Sequence, residues 1–216
     1  LRKTVGQGHQ ELSPGDERPL RQLVDEIAWL AGIQFCVQVV ASDCGGVLEV
    51  LAGSTDAVFK RSREKLDDNW LVAMPGRVET VVVAVSEDVS GHGWNQIGRA
   101  VATARQLVKR GGRIVVLSQL SEEPGEGLRL LRGEEYPENC LQPIRDATPV
   151  DLIPATQIVN AAGWARILLL SKLAPELVEE LFLYPLEESS EVMRILETSE
   201  SSVILGGAQH TFGIVE

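Results

Sequence analysis

The segment from Val78 to Ser118 constrains the fold more than any other part of the chain. It begins with an apolar run, Val-Val-Val-Ala-Val at 81–85, and continues through a polar, glycine-containing loop into a helical stripe and a second apolar run, Ile-Val-Val-Leu at 114–117. Continuous apolar runs are typical of strands that are buried on both faces of a parallel sheet. The segment therefore predicts a right-handed β-α-β unit within an α/β fold.

The helix of this unit is predicted over residues 94–110, because Ile97, Val101 and Leu107 recur at helical spacing. Gly111 and Gly112 follow directly. Glycine is favoured just beyond the end of a helix, so the pair is expected to end this one.

The remaining segments extend the same pattern. Residues 1–18 are predicted to be a leading segment or linker, and residues 19–216 a single α/β domain. Together the segments predict a mostly parallel sheet flanked by helices, and two of the strands could pair as an antiparallel hairpin at its edge. The other predicted helices are 21–31, 55–66, 151–162, 175–182 and 187–198; the other strands are 34–41, 47–51, 165–170 and 202–205; residues 119–150 are mostly loop, with a short helix near 128–132.

Charge excludes some classes of partner. The net charge is −11, and all of the excess acid lies in residues 119–216, which carry 17 acidic and 6 basic residues against 14 of each in residues 1–118. A chain this acidic is not expected to bind nucleic acid or an anionic membrane surface. No apolar run reaches the roughly 18 to 20 residues needed to cross a bilayer.

The cysteines indicate the compartment. Cys36, Cys44 and Cys140 are an odd number without a repeated spacing, so neither a disulfide framework nor a zinc site is expected. A reducing cytoplasm is predicted. The chain begins at Leu1 without Met, and we expect it to be a fragment or a processed form.

Candidate ligand contacts follow from the sheet. Ligands of open parallel sheets bind beyond the carboxyl ends of the strands. Two polar loops, 86–96 and 118–127, occupy such positions, and Ser171-Lys172 is a third. The Gly125-Glu126-Gly127 run would let the backbone approach a ligand, although an ordinary flexible loop explains it as well.

The first loop leads into Gln96 and Arg99, which are three residues apart and therefore share one helix face. An amide and a guanidinium beside free helix N–H groups suit a small carboxylate. In the alternative interpretation, Arg99 pairs with Glu87 or Asp88. His92, between two glycines, is expected to be mobile and accessible, either for acid–base work or simply as a solvated loop residue.

The order of these motifs resembles the C-terminal domain of the lactate racemase family, the nickel-pincer-nucleotide racemases of 2-hydroxy acids. The resemblance is carried by the apolar strand, the serine-containing glycine loop, the run Asn95-Gln96-x-x-Arg99-Ala100, Gly111-Gly112 before a strand, and Gly125-Glu126-Gly127. The flanking segments resemble the family as well, so that the likeness covers about residues 18–210.

The resemblance implies a role for individual residues. Gln96 matches a substrate-contacting Gln of the family, Arg99 its Lys, and Asn95 stands where the family has Tyr. Arginine keeps the positive charge but adds a planar fork, and asparagine removes an aromatic hydroxyl. These two differences leave two alternatives to lactate racemisation: the substrate is another hydroxy acid, or the protein is not catalytic.

The resemblance also implies partners. The cofactor lysine, the nickel-binding His and the acid–base His pair belong in the family to a preceding N-terminal cofactor domain. We expect this chain to hold no cofactor by itself, to be inactive alone, and to contribute Gln96, Arg99, Asn95 and His92 to a small carboxylate substrate. Two alternatives remain: a non-catalytic binding module of the same fold, and an unrelated α/β enzyme that uses His92 with Glu87 or Asp88.

Overall fold

The computed structural model describes residues 19–42, 46–86 and 91–216 of the chain. The chain divides into two units, Leu1–Asp68 and Asn69–Glu216. The predicted leading segment, residues 1–18, lies outside the described residues. A single domain over 19–216 stays a prediction, because a division into units does not decide whether they fold independently.

A helix, a β-hairpin and a second helix make up the described part of the first unit. Helix α1 spans Pro19–Leu30, strands β1 and β2 span Cys36–Ala41 and Val47–Gly53, and α2 spans Thr55–Trp70, whose last two residues belong to the second unit. The strands pair antiparallel, so the predicted hairpin is confirmed. It forms a sheet of its own and not the edge of a larger one. Residues 43–45 of its predicted turn lie outside the described residues.

A five-stranded parallel sheet forms the centre of the second unit. Strands β3 to β9 span, in order, Leu71–Met74, Val78–Ala84, Val108–Leu117, Arg166–Leu170, Leu183–Leu186, Ser202–Gly206 and Phe212–Val215. The sheet has the order β7-β6-β5-β4-β8, and β3 pairs with β9 in a small parallel sheet. The two apolar runs of the sequence form the neighbouring parallel strands β4 and β5. Their continuous apolar character is typical of strands buried on both faces of a sheet. The predicted α/β fold is therefore confirmed.

Helices cover both faces of this sheet unequally. Their bounds are Trp94–Leu107 (α3), Glu126–Arg129 (α4), Pro137–Cys140 (a 3₁₀ helix), Leu141–Ala147 (α5), Leu152–Ala162 (α6), Pro175–Glu179 (α7) and Ser189–Glu197 (α8). Helices α3 and α6 pack with Val81 and Ile114 in the main core. Because side chains alternate along a strand, Val82 faces the other side, where Val192 of α8 covers it. No described helix is long and apolar enough to cross a membrane.

The Gly111-Gly112 pair does not end helix α3, which was the expectation from the sequence. The helix ends at Leu107, and both glycines lie inside β5. The terminal carbonyls of the helix are bonded from elsewhere: Arg77 Nη1 donates to the oxygens of Arg105 (2.9 Å) and Val108 (3.1 Å), and Trp164 Nε1 donates to that of Val108 (3.1 Å). A positive charge near the carboxyl end of a helix is favourable. Hydrogen bonds from these distant side chains therefore satisfy the carbonyl groups at the end of the helix, a role that the sequence had suggested for the glycines.

Close packing explains one of the two glycines. A Cβ on Gly112 would lie 2.5 Å from the carbonyl oxygen of Glu79 on the neighbouring strand β4. Gly111 has a positive φ of 75°, which glycine adopts at little cost. The pairing of β4 with β5 shifts register between Val78 and Thr80, close to the two glycines.

Glu191 is expected to stabilise α8 at neutral pH and not in acid. Its Oε1 accepts the backbone N–H groups of Glu187 (2.9 Å) and Glu188 (3.0 Å), and these bonds, from Glu188 first, lower the pKa of its carboxyl below the usual 4.5. A carboxyl with a lowered pKa contributes stability above its unfolded pKa, and the contribution is lost as the pH falls through its folded pKa.

We therefore expect Glu191→Gln to lower the thermal midpoint at pH 7 and to have less effect at pH 3, which circular dichroism at the two pH values measures. Glu197→Gln, at the other end of the same helix, is the matched control and should not lower the midpoint at pH 7. Equal losses for E191Q at both pH values would contradict this account.

Candidate functional site

The carboxyl ends of three neighbouring strands meet at one edge of the sheet. Strands β4, β5 and β6 are parallel neighbours, and Ser86, Ser118 and Ser171 lie just beyond their ends. The N–H of Val85 donates to the oxygen of Leu117 (3.0 Å), and that of Ser118 to the oxygen of Leu170 (3.0 Å). The loops predicted to carry ligand contacts therefore start side by side, as expected for parallel strands. Residues 87–90, including Glu87 and Asp88, lie outside the described residues.

Gln209, three residues after the end of β8, forms hydrogen bonds with Ser86 at the same edge of the sheet. This side chain is buried, and its Nε2 donates to Ser86 Oγ (2.8 Å) while its Oε1 accepts the Ser86 N–H (3.3 Å). Both ends of the amide are thus used inside the protein. Sequence reasoning missed Gln209, because no local pattern links it to a serine so far away along the chain.

His92 is anchored to the second loop, contrary to the mobile position that its flanking glycines suggested. The ring is half-buried. Its Nδ1 accepts the backbone N–H of Gln119 (3.0 Å) and lies 3.1 Å from Ser118 Oγ. The N–H of Leu120 donates to the same hydroxyl oxygen (3.0 Å). The contact joins the loops that follow β4 and β5.

Gln96 lies three residues into helix α3 and closes its first turn. The N–H of Gly93 donates to Gln96 Oε1 (3.2 Å). Because a backbone N–H can only donate, the amide oxygen of Gln96 is the atom that faces it. Asn95 and Arg99 are exposed. They are four residues apart and so lie on one side of the helix, next to Gln96.

The carboxylate of Glu122 occupies the N-terminus of α3. The backbone N–H of Trp94 donates to Glu122 Oε2 (3.1 Å), and the indole Nε1 of Trp94 donates to the Glu122 carbonyl oxygen (3.0 Å). A Cβ on Gly93 would lie 2.7 Å from Glu122 Oε2. The sequence predicted free N–H groups here for a ligand anion, but the first of them already binds an internal carboxylate, as helix N-termini favour. A ligand would meet the side chains instead.

The other candidate segments serve the fold. The side chain of Asp151, the residue before α6, accepts the N–H groups of Gly127 (2.8 Å) and Leu128 (3.1 Å) at the start of α4. A Cβ on Gly125 would lie 2.5 Å from the same carboxylate. The two glycines, Gly125 and Gly127, therefore allow the backbone to approach Asp151 closely. The third candidate segment, Ser171-Lys172, is also bonded within the protein, because the N–H of Lys172 donates to the Leu120 oxygen (2.9 Å).

Cysteine and histidine side chains do not assemble into a metal site in the described part of the chain. No three His, Cys, Asp or Glu residues there are placed to share a metal ion. Burial, and then Glu134 and Glu138, raise the pKa of the buried Cys140 thiol to about 11, so it is neutral at pH 7. The ring of His210 lies 5.3 Å from that of Trp70. His9 lies outside the described residues.

A cavity of about 680 Å³ opens at the opposite edge of the sheet. This volume lies within the range of small-molecule pockets. Its lining comes from the amino ends of β6 and β7 and includes Trp164, Arg166, Glu179, Phe182 and Tyr184. Nothing in the sequence pattern indicated it. It lies away from Gln96 and Arg99, which are at the carboxyl edge.

Comparison with known proteins identifies the architecture. No protein-family model matches the chain, and no curated protein matches it in sequence. Its structure is similar to the lactate racemase apoprotein of Thermoanaerobacterium thermosaccharolyticum, with a TM-score of 0.75 over 92% of this chain at 18% identity. The chain has a lactate-racemase-like fold. It is also similar to a Thermotoga maritima protein solved by the Northeast Structural Genomics Consortium, with a TM-score of 0.63 over 93% of this chain at 11% identity.

The chain spans about half the length of these structures, 49% of the first and 54% of the second. The resemblance deduced from the motifs is therefore confirmed at the level of the fold. Its assignment to the C-terminal domain of the family stays a prediction, as do the roles of Gln96, Arg99, Asn95 and His92.

Proposed function

We propose that this chain is the C-terminal, substrate-side domain of a lactate-racemase-like protein and binds a small 2-hydroxy carboxylate. Gln96 and Arg99 bind the carboxylate, with Asn95 and His92 beside them. The fold likeness over 92% of the chain supports the assignment. The position of these residues beyond the end of β4, where open parallel sheets bind ligands, supports the site.

The hydrogen bond from the Gly93 N–H to Gln96 Oε1 (3.2 Å) is the observation that carries this proposal. It holds the amide oxygen on the helix backbone, so that a contact between Gln96 and a ligand is made by the amide nitrogen, which donates. The exposed guanidinium of Arg99, one turn further along, can only donate as well. Two adjacent donors, one of them charged, suit an acceptor-only carboxylate.

The cofactor belongs to another part of the protein in this proposal. The described residues offer no set of nickel ligands, so they do not fit the metal of a nickel-pincer nucleotide, and no step of that chemistry is assigned to them. A preceding N-terminal cofactor domain would supply it, and this chain alone would be inactive. The odd number of cysteines without a repeated spacing supports a location of the protein in the reducing cytoplasm.

Arg99→Ala tests the proposal in the full-length protein that the gene encodes. A charge-assisted hydrogen bond contributes about 1.5–3 kcal/mol, so we expect lactate, or the 2-hydroxy acid that the protein prefers, to bind roughly 10- to 100-fold more weakly. Isothermal titration measures binding, and racemisation of the same acids with nickel content measures activity. Arg99→Lys, the family residue, should keep most of the affinity.

Arg145→Ala is the matched control, because Arg145 is also exposed but lies on α5. It should bind the acid like the parent protein. Binding that R99A leaves unchanged would rule out the proposed site.

A non-catalytic binding module of the same fold is the second candidate. The carboxylate of Glu122 on the Trp94 N–H (3.1 Å) favours it, because it removes one donor that a tightly held substrate anion could use. A full-length protein that binds the acid but carries no nickel and racemises nothing would establish this candidate.

A further inference from the structure

The ring of His92 has one defined protonation pattern. Its Nδ1 accepts the backbone N–H of Gln119 (3.0 Å), and a backbone N–H has no other role than donor. In the neutral ring the proton must therefore be on Nε2, and in the imidazolium Nε2 also carries one. Nε2 is a hydrogen-bond donor in either state.

The contacts of the ring leave Nε2 for another partner. Within residues 19–42, 46–86 and 91–216, both contacts of His92 are made by Nδ1, to Gln119 N and to Ser118 Oγ. His92 directly precedes Gly93, whose N–H binds Gln96 Oε1 (3.2 Å). The half-buried ring thus belongs to the residue two positions before α3, the helix that carries Gln96 and Arg99.

We infer that His92 is a further binding residue of this site, whose Nε2–H donates to the oxygen on carbon 2 of the ligand. This inference rests on the proposed function. The contacts that the site offers, from His92, Gln96 and Arg99, are then all donors. A hydroxyl or keto oxygen on carbon 2 accepts a bond from Nε2–H. An ammonium group there carries only donors and places a second positive charge near Arg99, so the site selects 2-hydroxy and 2-oxo acids over 2-amino acids.

A histidine with a structural role alone would need only Nδ1. The contacts with Gln119 and Ser118, which we call the Nδ1 clamp, use only this atom of the ring. Asparagine presents an acceptor oxygen at nearly that position and nothing at the position of Nε2. His92→Asn therefore keeps the Nδ1 clamp and removes the proposed donor.

The tautomer is tested first, without any ligand. Nitrogen-15 NMR of the full-length protein should show the His92 proton on Nε2 and an unprotonated Nδ1 at pH 8. A proton on Nδ1 in the neutral ring would overturn the inference.

Ligand selection is tested by titrating lactate, pyruvate and alanine into the full-length parent protein, H92N and R99A. We expect the parent to bind lactate and pyruvate at least 10-fold more tightly than alanine. We expect H92N to bind lactate about 10-fold more weakly, the effect of one neutral hydrogen bond, with a thermal midpoint close to that of the parent.

The outcomes separate the two proposals. Lactate binding that R99A does not weaken, or no binding of any acid to the parent, overturns the proposed function and this inference with it. Lactate binding that R99A weakens but H92N does not overturns the role of His92 alone. Equal binding of alanine and lactate to the parent protein also overturns the role of His92. This comparison uses the parent protein alone, so it does not depend on the folding of a variant.

Discussion

Trp94→Ala is expected to lower the free energy of unfolding of the second unit by about 3–5 kcal/mol, the usual cost of removing a large aromatic side chain from a core. Trp94 is only 3% exposed and packs in the main core. Its indole Nε1 also donates to the Glu122 carbonyl oxygen (3.0 Å), and the truncation leaves that oxygen without this donor. Urea unfolding followed by circular dichroism measures the loss.

The same truncation at a second tryptophan is the control. Trp29 is 80% exposed on α1, and a surface substitution of this kind changes stability by only about 0.5 kcal/mol. W29A should therefore unfold like the parent protein. If W94A and W29A unfold at the same urea concentration, Trp94 does not hold the start of α3 as the structure shows.

Gly98→Ala is expected to destabilise the second unit by about 1–3 kcal/mol, the range of overpacked cores. A Cβ at this position would lie 2.8 Å from the Cα of Pro154 and 2.7 Å from Gln157 Oε1 on α6. The Gln157 side chain can move aside, but the backbone of Pro154 cannot unless the two helices separate. In an exposed helix the same change would stabilise by up to about 1 kcal/mol, so the sign of the effect reports the close packing.

Gly76→Ala is the matched control, because no atom lies within 4 Å of the added Cβ and φ is not positive. Its thermal midpoint should stay near that of the parent, while that of G98A falls. A midpoint of G98A at or above the parent value would mean that α3 and α6 are further apart than described.

The sequence predicted the elements whose pattern is local. The apolar runs at 81–85 and 114–117 became neighbouring parallel strands, and the stripe through Ile97 and Val101 became the buried side of α3. Strands β3, β7 and β9 were missed. Each has four residues, and β3 finds its partner β9 only at the far end of the unit, which no local pattern encodes.

The candidate site divides in the same way. The shared helix face of Gln96 and Arg99 follows from spacing alone. The anchoring of His92 by Ser118 and Gln119, and the carboxylate of Glu122 on the Trp94 N–H, do not. These contacts join loops 26 to 28 residues apart, and their partners are decided by the order of the strands in the sheet.

The position of β8 has a consequence for the order in which the protein assembles during synthesis. Strand β4 is paired on one side by β5, which follows soon after it, and on the other by β8, where Thr80 lies opposite Ser202 and Ala84 opposite Gly206. Until the ribosome has released β8, one edge of the buried strand β4 has unpaired backbone hydrogen-bonding groups. Such edges recruit other chains. Nascent chains of this protein should therefore depend on chaperones until β8 has been synthesised.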